Sequence, residues 1–369
     1  PSLPAQCYSS PEILEREKQR LFLKSWIAVG RADQWPNAGD YSTRNILDIP
    51  IILIKDKHGN IKAYSNSCRH RGAKLLEGSG NCRTICCPFH CWTYDLEGNL
   101  VFAPKIKNDE TFNYDEYGLI EIQSEARDGF VYINFTDSAS DTSGSGSDSQ
   151  SIDTWLGEFP SVHAPWKFKE LVSYKRHEFT VNCNWKAFLD VFNEYYHLPY
   201  IHPSTINEAY KEPEAARLMQ GNFSSQFGST EGSGGLLEET QQYTLPATNG
   251  MDDKTSNGVR YTWVYPNLTF AASAEAVWIY EALPITAQTS QIALTLCFPQ
   301  SSTELEDFET RADFYYQRLI AAINEDIPAL ENQQLGLNSP LAKQGRYHER
   351  LEPNVAHFDF WYAGLMGKS

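Results

Sequence analysis

Two short segments, each pairing a cysteine with a histidine, constrain the first hundred residues more than any other feature of the sequence. Cys68-Arg69-His70 is followed, after sixteen residues, by Cys87-Pro88-Phe89-His90. Thiolates and imidazoles are metal ligands, and two such pairs at this separation can close on one centre from two loops. We therefore expect the two segments to form adjacent loops around a metal centre.

The number and type of these ligands leave two kinds of centre open. Two cysteines and two histidines fit a zinc site, and they equally fit a Rieske [2Fe–2S] cluster, in which the cysteines hold one iron and the histidines the other. The C-x-H spacing of the first pair is tighter than that of the usual zinc sites. The other cysteines of this region, Cys82, Cys86 and Cys91, are interpreted as non-ligands, since only Cys87 has the two-residue spacing to His90.

A second polar group lies in the aromatic segment 184–203. Asp190, Glu194 and His197 follow one another at helical spacing, so they are predicted to form one polar stripe that needs a partner inside the protein. A proline between His197 and His202 is expected to end or kink the helix, which lets His202 fold back beside His197. Two imidazoles joined by a carboxylate from elsewhere form the ligand set of non-haem Fe(II) oxygenases. The alternative is that both histidines are hydrogen-bonded core residues.

Composition limits the partners and the compartment. A net charge of −16 argues against nucleic acid as a partner. No run of eighteen apolar residues occurs, so no membrane span is expected, and the first residues lack the pattern of a signal peptide. Five of the eight cysteines fall within 24 residues, which favours metal binding over a disulfide framework. These features predict a cytoplasmic protein.

The sequence around both groups resembles one family. Residues 68–72 (CRHRG) and 87–94 (CPFHCWTY) closely resemble the Rieske signature of ring-hydroxylating oxygenase α subunits. The NWK and E-x2-H-x4-H patterns within 184–202 resemble the mononuclear-iron motif of the same family. The segment 325–337 (EDIPALENQQLGL) resembles the part that supplies the third iron ligand. The resemblance covers almost the whole chain.

This resemblance implies a role for each candidate ligand. The [2Fe–2S] cluster would be held by Cys68, His70, Cys87 and His90. The mononuclear Fe(II) would be held by His197, His202 and Asp326, with Glu325 as the alternative carboxylate. Glu194 would bridge His90 of one subunit to His197 of the next by hydrogen bonds. Asp190 would support the ligands without binding the iron.

The fold implied by the resemblance is α+β, with an antiparallel β Rieske domain followed by a helix-grip catalytic domain, in which an antiparallel sheet wraps a long helix. We expect a lead-in helix in residues 1–40 that packs on the catalytic domain, a Rieske domain in 41–150 and the catalytic domain in 151–369. Within these, the patterns predict a helix at 10–26, loops over the active site at 220–258, four strands between residues 260 and 298, and a long helix at about 303–323. The Ser-, Gly- and Asp-rich stretch 137–151 is predicted to be a mobile surface loop.

The resemblance also implies the reaction and the partners. The family activates O2 with electrons that come from NAD(P)H through a flavin and iron–sulfur reductase or a ferredoxin, and its subunits form head-to-tail trimers. A homotrimeric oxidoreductase is therefore expected. An alternative of another class is a non-enzymatic electron carrier, or a zinc-stabilised binding protein, built on the same first domain.

Glutamate rather than aspartate at position 194 resembles the branch of the family that oxidises quaternary amines such as carnitine, glycine betaine and choline. It predicts monooxygenation, by hydroxylation or N-demethylation, of a small quaternary amine. Aromatic faces can hold a trimethylammonium group by cation–π attraction. The alternative substrate is an aromatic ring or aromatic acid, which the same walls would accept by stacking and which an arginine could hold. The predicted pocket residues are Phe192, Trp263, Tyr265, Phe270, Trp278 and Arg260.

Overall fold

The computed structural model describes residues 1–106, 111–136, 150–206, 210–215 and 217–367. The chain forms two compact units. Pro1–Phe22 and Gln150–Ser369 make up the large unit, and Leu23–Ser149 make up the small unit. The low-complexity stretch, for which a mobile loop is predicted, falls outside the described residues from 137 to 149.

The small unit is built from short antiparallel strands. They are β1 (Ile27–Arg31), β2 (Asp40–Ile46), β3 (Ile49–Lys55), β4 (Ile61–Ser65), β5 (Ser79–Asn81), β6 (Ile85–Cys86), β7 (Thr93–Tyr94), β8 (Leu100–Phe102), β9 (Glu121–Arg127) and β10 (Phe130–Asn134). One sheet has the order β1-β10-β9-β4-β3-β2-β5, and β6, β7 and β8 form another. The connection from β4 to β5 carries Cys68 and His70, and the turn from β6 to β7 carries Cys87 and His90.

The N-terminal segment that precedes the small unit is shorter than the sequence predicts. The boundary lies between Phe22 and Leu23, whereas we expected residue 40. The difference arises from β1, whose five residues are all buried and which pairs with β10 in the small unit's sheet. The preceding helix, α1 (Pro11–Arg20), belongs to the large unit and begins at Ser10, whose hydroxyl accepts a hydrogen bond from the Ile13 N–H.

The large unit contains one seven-stranded antiparallel sheet. Its strands are β11 (Leu171–Val181), β12 (Tyr210–Pro213), β13 (Phe223–Thr230), β14 (Gly258–Val264), β15 (Leu268–Ala272), β16 (Val277–Thr286) and β17 (Thr289–Pro299), in the order β11-β17-β16-β15-β14-β13-β12. The four strands predicted between residues 260 and 298 are confirmed as β14 to β17. The prediction of loops throughout 220–258 is wrong at β13, because that segment pairs along its length with β14.

The remaining helices of the large unit pack on this sheet or connect its strands. They are α2 (Ile152–Leu156), α3 (Phe159–Val162), α4 (Trp185–Phe192), α5 (Leu198–Ile201), α6 (Asp253–Ser256), α7 (Gln300–Thr303), α8 (Phe308–Leu337) and α9 (Pro353–Met366). Helix α8 contacts α4, α5 and β11, and α4 also contacts β16. The predicted long helix is therefore present, but it continues fourteen residues beyond residue 323, through Pro328. Among the helices described, none is long and apolar enough to cross a membrane.

A buried ion pair joins three helices of the large unit. Glu17 of α1 and Lys186 of α4 are both inaccessible to solvent, and the Glu17 carboxylate lies 2.6 Å from the Lys186 ammonium. The same carboxylate accepts hydrogen bonds from the Trp185 indole (3.0 Å) and from the Tyr362 hydroxyl on α9 (2.6 Å). Because a buried charge is stable only when it is paired and hydrogen-bonded, this cluster fixes α1 and α9 against the helix that leads to the histidines.

Candidate metal centres and substrate pocket

The segment that carries the two histidines is a helix followed by a single helical turn. Helix α4 begins at Asn184, whose side chain accepts from the Lys186 N–H, and ends before Asn193, whose amide donates to the Leu189 carbonyl (2.7 Å). The predicted continuous helical stripe is therefore wrong beyond Phe192. His197 and His202 flank the short α5, and their rings lie 5.1 Å apart.

Asp326 of α8 completes a three-residue cluster with these histidines. One ligand atom of each residue lies within 4.8 Å of the other two. The Asp326 Oδ1 atom is 2.9 Å from His202 Nε2 and 3.7 Å from His197 Nε2. Oδ1 is also buried and has no hydrogen-bond partner within the described part of the chain. Two imidazole nitrogens and an unpartnered carboxylate oxygen that face one point fit a two-His-one-carboxylate iron site.

A glutamate holds the far nitrogen of each imidazole. His197 Nδ1 is 2.5 Å from Glu194 Oε1, and His202 Nδ1 is 2.6 Å from Glu325 Oε2. Such carboxylate partners fix the orientation and the tautomer of metal-binding histidines, which leaves Nε2 free for the metal. Burial lowers the pKa of His202, but the neighbouring Asp326 and Glu325 carboxylates outweigh it and raise that pKa, so the site favours a bound cation.

The two Cys–His loops of the small unit lie side by side. The His70 and His90 rings are 4.7 Å apart, and His70 also stacks on Trp92. Cys68 and Cys87 are buried in the unit's hydrophobic core, whereas His70 is exposed. This donor set, with buried thiols and imidazoles toward the surface, fits the asymmetric ligation of a Rieske cluster.

The remaining cysteines of the small unit are less buried than Cys68 and Cys87. Cys86 and Cys91 are exposed, and Cys82 is half-buried.

The Tyr94 hydroxyl lies next to a candidate cluster ligand. It is 3.4 Å from Cys68 Sγ and accepts a hydrogen bond from the Arg69 N–H (3.1 Å). With the thiol ionised, the hydroxyl donates to the sulfur. Hydrogen bonds to the sulfurs are one of the factors that set the potential of an iron–sulfur cluster.

Asp190, which we expected to support the iron ligands, contacts neither histidine in the described structure. Its Oδ2 accepts a hydrogen bond from the Tyr8 hydroxyl (3.0 Å). Burial, together with the nearby Asp359 carboxylate, raises the pKa of Asp190 well above its usual range. Asp190 therefore belongs to an acidic cluster between the N-terminal segment and α9 rather than to the histidine site.

A small pocket, with a cavity volume of about 40 Å³, opens beside the three-residue cluster. Its aromatic side chains include a close group in which Phe192 lies 5.4 Å from Tyr261 and 4.7 Å from Tyr280, measured between ring centroids. The lining also contains Trp278, Glu194 and Arg318.

The register of the sheet explains which predicted pocket residues line this space. Phe192 and Trp278 line the pocket, whereas Arg260 and Phe270 do not. Arg260 is adjacent to Tyr261 in β14, so its side chain points to the opposite face of the sheet. Phe270 pairs with Thr262, the other neighbour of Tyr261, and lies on that opposite face as well.

Trp263 and Tyr265 share the face of Tyr261 but lie further along the chain, where the ring of Phe358 on α9 packs on them at 3.8 and 5.3 Å. They are therefore core residues under α9 and not pocket walls. The structure places neither of these two residues, nor Arg260 and Phe270, in the lining of this pocket. Tyr261, Tyr280 and Arg318 were missed, although the alternation from Trp278 to Tyr280 and from Trp263 to Tyr261 was available in the sequence.

Known protein families and individual proteins match this sequence along nearly its whole length. Residues 168–368 match the family described as ring hydroxylating alpha subunit (catalytic domain), and residues 25–117 match the Rieske [2Fe-2S] domain. The carnitine monooxygenase oxygenase subunit of Escherichia coli (strain K12) is 28% identical over 347 residues, which cover 92% of this chain and 84% of that protein. The chloroplastic choline monooxygenase of Atriplex hortensis is 26% identical over 364 residues, which cover 97% and 76%.

Solved structures share the fold. One is a quaternary ammonium Rieske monooxygenase that was studied for carnitine oxidation by gut microbiota and for inter-subunit electron transfer. It superposes with a TM-score of 0.81 at 24% identity, over 99% of this chain and 95% of that one. Naphthalene 1,2-dioxygenase with bound indole superposes with a TM-score of 0.79 at 18% identity, over 100% and 92%.

Proposed function

The chain belongs to the ring-hydroxylating oxygenase α-subunit family, and from this premise we propose that it is the oxygenase of a Rieske monooxygenase system that oxidises a small quaternary amine. The observation that supports this most is the cluster of His197, His202 and Asp326 beside an aromatic pocket, in a chain that also contains a Rieske domain. A pure electron carrier would have no use for the second site.

Seven residues would hold the metals. Cys68 and Cys87 would bind one iron of the cluster and His70 and His90 the other, while His197, His202 and Asp326 would bind the mononuclear iron. When bound, the mononuclear iron supplies the position at which O2 is activated, and the cluster supplies electrons for it. Glu194 and Glu325 keep protons on the Nδ1 atoms of their histidines, which directs both Nε2 lone pairs to one point.

The proposed substrate follows from the pocket walls and from the relatives. The rings of Phe192, Tyr261 and Tyr280 can surround a trimethylammonium group, which aromatic faces attract without a hydrogen bond. Choline and carnitine monooxygenases are among the relatives that match more than nine-tenths of the chain. Hydroxylation of an N-methyl group or of an adjacent carbon is the expected reaction.

Electron delivery would involve partners. We infer a homotrimer in which Glu194 links His197 to His90 of a neighbouring copy, and a flavin and iron–sulfur reductase or a ferredoxin that passes on electrons from NAD(P)H. The exposed Tyr196 and Tyr200, beside Glu194, would suit such a contact. The cytoplasm remains the proposed location, since none of the eight cysteines forms a disulfide, as is usual in a reducing compartment.

Metal analysis and a substrate screen test this function. The purified protein should contain about three irons per chain, two of them in a cluster with labile sulfide. With a surrogate reductase, O2 uptake and product formation should appear with carnitine, glycine betaine, γ-butyrobetaine or choline. Zinc without labile sulfide would contradict the oxygenase assignment. Turnover of benzoate-like compounds alone would leave that assignment standing and refute the amine substrate.

A further inference from the structure

Arg318 is a cation buried inside the candidate substrate pocket. It lies on α8, eight residues before Asp326, and is 3% exposed. Its guanidinium carbon sits 5.1 Å from the centre of the Trp278 ring, and the Tyr261 hydroxyl lies beside the group. Its Nε and Nη2 atoms are buried, and neither has a hydrogen-bond partner among the described residues.

The surroundings of Arg318 do not neutralise its charge. The titratable groups that act on it most strongly are the phenols of Tyr210, Tyr261 and Tyr280, and no carboxylate of the described chain forms an ion pair with it. A guanidinium stays protonated at any physiological pH. Burying it unpaired is costly, and a ligand that brings a carboxylate into the pocket would offset that cost.

We propose that Arg318 anchors a carboxylate of the substrate, so that the substrate is a zwitterion with a quaternary ammonium at one end and a carboxylate at the other. This inference rests on the proposed function, because it assigns the second charge of the same substrate. Nε and Nη2 form one edge of the guanidinium, and that edge donates two parallel hydrogen bonds to a carboxylate. Both donors of this edge are the unpartnered ones.

The positions along α8 are compatible with such a ligand. Eight residues of helix rise about 12 Å, so the Arg318 and Asp326 backbones are separated by roughly that distance while both side chains line one pocket. The aromatic group of Phe192, Tyr261 and Tyr280 lies in the same pocket. In the proposed complex the methylated nitrogen would lie against these rings, toward the iron ligands, and the carboxylate would lie on Arg318.

Calorimetric binding to the iron-loaded holoenzyme without O2 tests this inference independently of turnover. Glycine betaine and choline share a trimethylammonium group and differ in carboxylate against hydroxymethyl, and γ-butyrobetaine with its methyl ester forms a second matched pair. Wild type should bind the carboxylate member of each pair more tightly. Arg318→Gln should weaken its binding roughly 10- to 100-fold and change choline binding less than about threefold. Arg318→Lys, which keeps the charge but loses the fork, should retain part of the preference.

Arg260→Gln is the matched control. Arg260 is also an arginine with an unpartnered Nε, but it lies on the opposite face of the sheet, so its replacement should leave the ratio of betaine to choline affinity unchanged. Wild type with no preference for the carboxylate members, or equal loss of both members in Arg318→Gln, would overturn the anchor. Should Arg318→Gln not fold, the wild-type ratio and Arg318→Lys still decide. Arg318-dependent binding of benzoate, with no methylated amine bound, would support the anchor and refute the amine substrate.

Discussion

The Nδ1 atom of His202 lies 2.6 Å from Oε2 of Glu325, and this bond distinguishes the two adjacent carboxylates of α8. Glu325 also accepts a hydrogen bond from the Thr205 hydroxyl (2.6 Å), so its carboxylate is directed at the back of the imidazole. Asp326 faces the front, at Nε2. Of the two candidates for the third ligand, Asp326 is thus the one that faces the nitrogen free to bind iron. Glu325 instead orients the His202 ring.

Glu325→Gln should weaken binding of the mononuclear iron roughly 10–100-fold, because a neutral amide oxygen is a weaker acceptor for the His202 Nδ1–H than a carboxylate and leaves the imidazole a less basic ligand. Titration of Fe(II) into protein stripped of its mononuclear iron measures this, and the labile sulfide content should not change. Glu331→Gln is the control, since Glu331 is on the same helix but bonds the Asn182 side chain (2.8 Å). Unchanged iron affinity in Glu325→Gln would remove Glu325 from the site.

With Fe(II) supplied in excess so that the iron site is filled, Glu194→Gln should leave the cluster reducible, yet slow product formation roughly 10–100-fold or more. The reason is that Glu194 contacts His197 and is the proposed link to a neighbouring copy. Single-turnover assays with a pre-reduced cluster isolate this step. Glu178→Gln, at an exposed ion pair with Arg176, should behave like wild type. A variant at position 194 that turns over at the normal rate would show that electrons take another route.

Tyr94→Phe should lower the midpoint potential of the cluster by tens of millivolts. The hydrogen bond from Tyr94 to Cys68 stabilises the reduced cluster, which is the more negative form, more than the oxidised one, and the variant lacks this bond. Protein-film voltammetry or a redox titration measures the change. Tyr64→Phe provides the comparison, since the Tyr64 hydroxyl is buried in the same core but donates to the Leu96 carbonyl (3.3 Å) instead of a sulfur. Equal potentials in the two variants would contradict the assigned role of Tyr94.

Asp359→Asn should remove a pH-dependent loss of stability from the large unit. Burial raises the pKa of Asp359 to about 6, although hydrogen bonds from Tyr347 and from the Leu3 N–H lower it. A raised pKa means that the folded state resists ionisation, so this residue's contribution to stability declines as pH rises from its unfolded pKa toward 6, by at most about 3 kcal/mol. As the pH rises from 5 to 7.5, the melting temperature of the variant should increase relative to that of wild type. The exposed Glu304→Gln should show no such gain, and parallel curves for Asp359→Asn and wild type would refute the prediction.

The candidate ligands could be predicted from the sequence because they come in spaced motifs, but a histidine alone could not. His163 is as deeply buried in aromatic surroundings as His202, yet its two nitrogens are occupied by the Phe159 carbonyl and the Thr262 hydroxyl, both at 2.8 Å. Burial lowers the pKa of His163 to about 3, so it is a neutral core residue. His197 and His202 differ in that each has an Nε2 directed at Asp326.

The pocket was harder to predict, because its walls depend on tertiary register. Aromatic residues occur on both faces of β14 to β16, and only strand pairing and the position of α9 decide which of them remain uncovered. Arg318 gave no signal at all, since an arginine on a long amphipathic helix is normally solvated, and only packing reveals that this one is buried. The same limit applies to the end of α4, where the Asn193 side chain bond replaces the expected continuation of the helix.

The ion pair between Glu17 and Lys186 has a consequence for the order of events on the ribosome. The small unit lies between Glu17 and Lys186 in the chain, and its sheet is complete once β10 has been synthesised. Helix α1 is made before it, but the Glu17 carboxylate gains its full set of partners only when Tyr362 of α9 has emerged. The cluster loops can therefore mature before α9 is made. The helix that leads to His197 and His202 is secured only after α9 has emerged, so loading of the mononuclear iron follows the synthesis of α9.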